Sequence, residues 1–190
     1  MLGLIQKVLL DLVEEKAGAG AVAEVRRRGG VPPDRIFRIG EVYSDEEWQR
    51  LWRAACDVLH TSEGEATDAY AEVFMRDALS RFPMWFELSA NSREFLERQI
   101  TIHNVFSSGV RDPEARKAVV DKFQIEKHAD EIVAHYRSPN RFCSLYKSLA
   151  RWLFRHYGDE AIVEEHKCML HGDEECEIHV TWKKFGGRAA

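Results

Sequence analysis

Residues 82–106 read FPMWFELSANSREFLERQITIHNVF, an aromatic cluster followed by a helix pattern. Asn91 and Ser92 can cap the first free backbone N–H groups of that helix, and Glu94 favours the positive end of its dipole. The side chains that recur at three- and four-residue spacings share one face, which comprises Phe95, Leu96, Gln99, Ile100, His103 and Phe106. His103 therefore lies on a largely apolar face with no acidic partner nearby in the sequence.

A neutral histidine on such a face has two alternative roles. It is either a core residue bonded to a carbonyl oxygen, or a ligand of a metal ion or a haem iron. The residue pattern by itself favours the core role for His103.

The composition limits the class of protein. A chain of 190 residues with 45% hydrophobic residues is expected to form one domain with a substantial core. A net charge of −5 with dispersed basic residues argues against a nucleic-acid surface, and four cysteines do not indicate a disulfide scaffold. No secretory signal pattern and no run of ~18 apolar residues is present, so the chain is expected to be soluble, cytoplasmic and not bound to a membrane.

Hydrophobic periodicity predicts an α+β fold. Its N-terminal half is helical and has five helices, at 2–17, around Val22 and Val25, from Asp45, at 66–82 and around His103. Its C-terminal half has a four-stranded antiparallel sheet and one helix, with strands at 123–127, 130–136, 161–168 and 176–182 and the helix at 141–157.

Several stretches, taken in order, resemble the haem–nitric oxide/oxygen binding (H-NOX) domain family. They are MLGLIQKVLLDLVEE, GGVPPDRIF, FELSANSREFLERQITIHNVF, HYRSPNRFCSLYKSLARWLFRHYGD and ECEIHVTW. That family includes the sensor domain of soluble guanylate cyclase and stand-alone bacterial gas sensors. The resemblance implies one domain over 1–185, with a distal helical part at 1–65, a proximal helix and sheet at 66–185, and a tail at 186–190.

The resemblance also implies a haem b cofactor whose axial ligand is His103, which reverses the preference for a core role. The family binds the haem propionates with a Tyr-x-Ser-x-Arg motif, in which hydroxyl groups and a guanidinium hold the carboxylates. Tyr136 and Ser138 match that motif, but Asn140 occupies the arginine position and Arg141 follows one residue later. The alternative is that Tyr136, Ser138 and Arg141 form an ordinary polar loop and helix start.

On the gas-binding side, oxygen-binding members of the family carry a tyrosine that donates a hydrogen bond to O₂. The corresponding position here is Leu145, while Tyr146 is expected to point away. With Ile5 and Leu9, Leu145 would form an apolar pocket that favours NO or CO over stable O₂ binding, and Phe74 would add a haem contact. The alternative is that these residues are plain core.

Three cysteines, Cys143, Cys168 and Cys176, match positions at which some bacterial family members bind a structural zinc with three cysteines and one histidine. The histidine position falls on Glu165, and His166 lies beside it. Because neighbouring side chains of a strand face opposite sides, His166 is expected to share the face of Cys168, while Glu165 is not. Zinc bound by the three cysteines and His166 is one possibility. Free buried thiols, or a disulfide between Cys168 and Cys176, are the others.

The function implied by this resemblance is a haem-based NO sensor without enzymatic activity. NO binding to the iron would weaken the bond to His103, and its helix would shift against the sheet. In bacteria the partner acting in trans would be a histidine kinase or a cyclic-di-GMP enzyme. Asn140 motivates the alternative, a haem-free module of the same fold that binds a small molecule or a protein. No Ser-His-Asp order, phosphate-binding loop or paired carboxylates indicate an enzyme.

Overall fold

The computed structural model describes residues 1–187, so the predicted tail at 186–190 lies outside the described residues from Arg188 onwards. The chain divides into two compact units, the first comprising Met1–Asp77 and the second beginning at Ala78. This boundary falls inside the helix Glu63–Arg81, whereas the sequence placed the division between its two parts at residue 65.

The N-terminal unit is helical, with α1 (Gly3–Gly29), α2 (Asp45–Leu59) and most of α3 (Glu63–Arg81). Gly18 kinks α1 with a φ of 78° and a ψ of 176°, which confirms the predicted interruption there. Ser62 and Glu65 form a capping box, in which each side chain accepts a hydrogen bond from the other's backbone N–H. The box starts α3 three residues before the predicted Ala66.

Aromatic packing forms part of the core of this unit. The ring of Tyr70 is fully buried and lies edge-on to Trp48 and Trp52, with centroids 5.9 and 5.8 Å apart. The Tyr70 hydroxyl donates to the carbonyl oxygen of Ile5 at 3.0 Å, which ties α3 to the first turn of α1.

The C-terminal unit combines short helices with a sheet and a longer helix. The described elements are α4 (Pro83–Glu87), α5 (Ser92–Glu97), α6 (Gln99–Ser108), α7 (Pro113–Val120), β1 (Phe123–Lys127), β2 (Glu131–Tyr136), α8 (Cys143–Tyr157), β3 (Glu160–Lys167) and β4 (Cys176–Lys184). The four strands form an antiparallel sheet in the order β1-β2-β4-β3. The predicted α+β class is therefore confirmed.

Several predictions about the helices are wrong. The helix expected from Asn91 to Phe106 is divided at Arg98, whose backbone N–H is shared between the carbonyl oxygens of Glu94 and Phe95 at 3.2 and 3.1 Å. Helix α7 was also missed, although Asp112 caps it by accepting from Ala115 N and proline occupies its first position. Helix α4 was not predicted either, and the two helices expected on either side of Gly18 form the single helix α1, so seven helices precede β1 among the described residues, where five were predicted.

The register of the sheet separates an inner face from an outer face. Tyr136 pairs with Phe123 and with Cys176, so these three side chains share the inner face. Residues on the outer face include Glu131, His135, Glu177 and His179. The pairing of β3 with β4 is irregular between Glu165 and Lys167, since Glu165 pairs with Ile178 and Lys167 with Glu177. One extra residue, His166, is accommodated there as a β-bulge.

A buried carboxylate joins the start of α5 to the ends of the sheet and of α8. Asp159 accepts hydrogen bonds from the backbone N and Oγ of Ser92 at 2.7 and 2.5 Å, and from Gly186 N at 2.9 Å. The indole Nε1 of Trp182 donates to Ser92 Oγ at 2.9 Å. Gly186 lies so close to Gly158 that an added Cβ would be 2.4 Å from the Gly158 carbonyl oxygen. Part of the predicted tail is thus packed against the domain.

Candidate functional site

His103 lies one turn into α6, and its Nδ1 is 2.9 Å from the carbonyl oxygen of Gln99. A carbonyl can only accept, so Nδ1 carries the proton and the lone pair of the neutral ring is on Nε2. Desolvation lowers the pKa of His103 to about 4; the charge of Lys122 adds to this, and the bond to Gln99 opposes it. The imidazole is therefore neutral at pH 7, with Nε2 in the form that ligates metals.

Aromatic rings from the sheet surround His103. Phe123 stacks on the imidazole with centroids 5.0 Å apart, and it contacts Tyr136 at 5.0 Å and Tyr146 at 5.5 Å. Phe123 thus brings the predicted axial ligand and the predicted Tyr136 into one cluster. Phe123 carries no local sequence signal of this contact, because it lies on a strand 20 positions from His103.

The predicted carboxylate-binding residues lie on a turn between β2 and α8. Tyr136 and Ser138 are buried, and the Tyr136 hydroxyl accepts from Phe142 N at 3.2 Å. Burial raises the pKa of Tyr136 to about 12, although hydrogen bonding with Ser138 lowers it. Arg141 is exposed, with a left-handed φ of 49°, and its backbone N–H closes the turn on Ser138 O at 3.0 Å.

Asn140 differs from its neighbours in this turn. Its Oδ1 and Nδ2 atoms are both buried, and neither has a hydrogen-bond partner among the described residues. A buried amide without a hydrogen-bond partner costs free energy. A bound polar group that pairs with the Asn140 side chain would remove that cost.

The residues predicted for the gas-binding side fall in both units. In the N-terminal unit, Leu9 is buried, Ile5 is half-buried, and Phe74 stacks on Tyr70 with centroids 5.9 Å apart. In the C-terminal unit, Leu145 is half-buried on α8. Tyr146 is buried, and its ring contacts Phe123 on the sheet side of α8.

Gln6 is a buried glutamine in α1 that was not predicted to belong to the site. The Gln6 side chain has no exposed surface, and both of its amide atoms are without a partner among the described residues. The sequence signal of this burial is that Gln6, a polar residue, follows Ile5 within the apolar pattern of the helix.

The three predicted cysteines come together as buried free thiols. The Cys143 and Cys168 sulfur atoms are 3.6 Å apart, and Cys176 Sγ accepts from Met169 N at 3.3 Å. Burial raises the pKa of Cys143 well above its usual range, so the thiol stays protonated unless a cation binds. No disulfide is present among the described residues, so of the three alternatives the Cys168–Cys176 bond is not formed in this structure.

Glu165, not His166, joins these cysteines. One carboxylate oxygen of Glu165 and the three sulfur atoms lie within 4.8 Å of one another. His166 is exposed and stacks on His179 of the outer face, so the prediction that it shares the face of Cys168 is wrong. The β-bulge at His166 is the reason, because one extra residue reverses the alternation and returns Cys168 to the side of Glu165.

Glu165 also carries a second feature relevant to cation binding. Its Oε2 accepts from Lys147 Nζ at 2.8 Å, while its buried Oε1 has no hydrogen-bond partner among the described residues. Desolvation would raise the pKa of Glu165, but the bond to Lys147 and contacts with Cys143 and Cys168 outweigh it and lower the pKa. The carboxylate is therefore ionised beside three thiols.

The structure thus has an α+β fold in which a neutral histidine, His103, stacks on Phe123 of the sheet. The chain matches the model of the haem-NO-binding family over residues 2–165, and it belongs to that family. No helix within residues 1–187 combines the length and apolar character that a membrane crossing requires.

One curated relative is the soluble guanylate cyclase gcy-37 of Caenorhabditis elegans. It is 29% identical over 105 residues, which cover 54% of this chain and 15% of the nematode protein. The match therefore spans only a small part of the cyclase.

Solved structures show the same fold. An H-NOX protein from S. oneidensis in the Fe(II) state aligns with a TM-score of 0.82 at 18% identity, covering 97% of both chains. The Fe(II) unliganded H-NOX protein from K. algicida aligns with a TM-score of 0.75 at 21% identity, also covering 97% of both. An oxygen-binding H-NOX domain related to soluble guanylate cyclases, in its oxygen complex, gives 0.76 at 17% identity, covering 97% of this chain and 96% of that one.

Proposed function

We propose that residues 1–185 act as one haem-based gas-sensing domain, with His103 as the axial ligand. The observation that carries the proposal is the bond from His103 Nδ1 to the Gln99 carbonyl oxygen at 2.9 Å. It fixes the tautomer and directs the lone pair of Nε2 away from the helix backbone. A ligating histidine characteristically donates its other ring N–H in this way, which orients the ring and raises its basicity.

The turn before α8 would bind the carboxylates of the haem. Tyr136 and Ser138 supply hydroxyl groups, and the buried Nδ2 of Asn140 supplies a donor that no described residue uses. Asn140 would thus replace the guanidinium of the family motif with a neutral amide. A neutral donor makes a weaker hydrogen bond to a carboxylate than a charged one does. We therefore expect the haem to be retained, but less tightly than with an arginine.

The gas preference proposed is NO or CO rather than stable O₂. When bound, the haem iron would supply the coordination position for the gas. Ile5, Leu9 and Leu145, which the resemblance assigns to the gas side together with Phe74, have no hydrogen-bond donor in their side chains. Bound O₂ carries partial negative charge and depends on such a donor more than NO or CO does.

We also propose that Cys143, Cys168 and Cys176 hold a structural zinc ion, with Glu165 as the fourth ligand. The buried Oε1 of Glu165 without a partner supports this, since a cation would satisfy it. Three sulfur ligands and one carboxylate oxygen complete a tetrahedral set.

The signal would pass from α6 to a partner protein. Helix α6, which carries His103, packs against α7 and β1, so a change at His103 would be transmitted through that helix to the sheet edge. The proposed partner is a histidine kinase or a cyclic-di-GMP enzyme in a bacterial cytoplasm. Catalysis would reside in the partner, because the proposed role of this chain is sensing.

The first test is an absorption spectrum of the reduced protein, expressed with a haem precursor and then exposed to NO, CO and air. A Soret band that shifts with NO and CO, but forms no stable oxygen complex in air, is the expected result. A colourless protein that takes up no haem in vitro would overturn the proposal in favour of a haem-free binding module.

The second test addresses the ligand itself. The His103→Gly variant is expected to lose the wild-type Soret spectrum and to recover it when imidazole is added, because free imidazole can occupy the vacated position. His128→Ala, which removes an exposed histidine of the same unit, serves as the matched control. An unchanged spectrum of His103→Gly would exclude His103 as the ligand.

A further inference from the structure

A second cluster of potential metal ligands lies on the outer face of the sheet, opposite to the cysteines. It comprises His166 on β3 and Glu177 and His179 on β4. One ligand atom from each of these residues lies within 4.8 Å of the other two. This cluster plays no part in the proposed haem and cysteine sites.

Strand alternation in β3 places His166 in the cluster. Glu165 faces the cysteines on the inner face, so its neighbour His166 lies on the outer face, and the bulge there leaves His166 without a paired residue on β4. The His166 ring then stacks on the ring of His179, with centroids 3.9 Å apart and planes inclined by 24°.

Glu177 is already positioned beside His179. Its Oε1 is 3.1 Å from His179 Nε2, while its Oε2 accepts from Lys167 Nζ at 2.6 Å. In a tetrahedral site with bonds of about 2.0–2.1 Å, neighbouring ligand atoms are about 3.3 Å apart. Two of the three ligand atoms therefore have the required separation, and rotation of the exposed His166 side chain can supply the third.

A carboxylate also contacts the other ring nitrogen of His179. His179 Nδ1 lies 3.3 Å from Oε2 of Glu131 on the neighbouring strand β2. A carboxylate bonded to the ring nitrogen that does not bind the metal is the usual outer support of a metal-binding histidine. This contact is independent of the three ligand residues and gives Nδ1 an acceptor, so that Nε2, which faces Glu177, is the ring nitrogen that a metal ion can bind.

We propose that His166, His179 and Glu177 form a binding site for a divalent transition-metal ion of the zinc type. His179 binds through Nε2, Glu177 through Oε1, and Glu131 is a positioning residue. Because His166 is exposed, a water molecule or an external ligand can occupy the fourth position. Two imidazoles and one carboxylate favour zinc, cobalt, nickel or copper over magnesium or calcium.

The test uses the full chain, kept reduced and titrated with Co²⁺ and Zn²⁺ by calorimetry and absorption. Cobalt bound to imidazole and carboxylate shows visible d–d bands without sulfur-to-metal charge transfer, so this site is distinguishable from the cysteine cluster. One equivalent of such a cobalt signal, displaced by Zn²⁺, is the expected result. The Soret band reports separately on any bound haem.

Variants test the assignment residue by residue. His166→Ala and His179→Ala are each expected to weaken metal binding at this site at least tenfold, and Glu131→Gln about tenfold or more. His128→Ala, an exposed histidine outside the cluster, is the matched control and should bind as the wild type does. Wild-type affinity in both His166→Ala and His179→Ala, or cobalt bound only with sulfur charge transfer, would overturn the proposal. Either result would leave the proposed gas-sensing role unaffected.

Discussion

The ring of Phe123 lies nearly parallel to the imidazole of His103, with 5.0 Å between centroids and 21° between planes. Phe123 is the first residue of β1, and His103 lies in the middle of α6. The same phenyl ring contacts Tyr136 and Tyr146. The sheet edge therefore contacts the proposed iron ligand through one aromatic side chain.

Replacing Phe123 with alanine removes these ring contacts. Because Phe123 is only partly buried, we expect the free energy of unfolding to fall by about 2 kcal/mol, below the range for a fully buried phenylalanine. Urea denaturation measures this, with Leu170→Ala as the control at an exposed site. A change equal to that of the control would show that the stacked cluster does not stabilise the domain.

The stability of the haem-free protein should depend on pH through His103. Its pKa is about 4 in the folded protein, against 6.5 for the free side chain. Between these values the unfolded chain binds a proton that the folded chain does not, so this contribution to stability is present above pH 6.5 and is lost as the pH falls towards 4.

Denaturation of the wild type and of His103→Leu at pH 7.5 and pH 4.5 measures the effect. The wild type is expected to lose about 2 kcal/mol more than the variant on acidification. Equal losses in the two proteins would contradict a desolvated His103.

Asn140 should control haem affinity. Introducing a guanidinium with Asn140→Arg replaces a neutral donor with a charged one, worth about 1 kcal/mol, so haem should dissociate about fivefold more slowly. Asn140→Leu should accelerate dissociation, since it removes the donor. Transfer of haem to an acceptor protein provides the measurement. Arg141→Ala is the comparison, and a large loss of affinity there would identify Arg141 instead as the carboxylate-binding residue.

Asp159 should be important for stability, since it accepts hydrogen bonds from Ser92 and Gly186. Asp159→Asn replaces a charged acceptor with an amide whose N–H groups face other donors, so we expect a loss of about 2 kcal/mol. Thermal and urea unfolding test this. Asp121→Asn, at an exposed position of the same unit, should change the stability by less than about 0.5 kcal/mol.

Gln6 should be a source of instability in the haem-free protein. Its buried amide has no partner among the described residues, and burying such a group costs about 1–3 kcal/mol. Gln6→Met preserves the length of the side chain without the polar atoms and is expected to raise the free energy of unfolding by about 1 kcal/mol. The exposed Gln49→Met is the control. A destabilised Gln6→Met protein would mean that the amide is hydrogen-bonded in solution.

Local patterns predicted most of the strands and helices. The alternation in 123–127 gave β1 with its observed bounds, and the apolar face of residues 141–157 gave α8 to within two residues. The Asn91 cap was also predicted and accepts from Glu94 N at 2.9 Å. These features depend on neighbours within four or five positions along the chain, which sequence patterns record.

Features that depend on pairing between distant segments were not predicted. The break at Arg98 and the bulge at His166 each shift the following residues relative to a regular element. Such a shift is decided by what the element packs or pairs against, not by its own periodicity. This is why the sequence placed His166 with the cysteines, while the structure places Glu165 there.

Hydrophobic periodicity in the sequence by itself determined the α+β class and the apolar helix face that carries His103. The meeting of the three cysteines was expected from the family resemblance. The tertiary structure alone decided that His103 is neutral with its Nε2 lone pair free, that Phe123 stacks on it, and that a bulge returns Cys168 to the face of Glu165. Desolvation, ring stacking and strand register arise only when segments distant in the sequence come into contact.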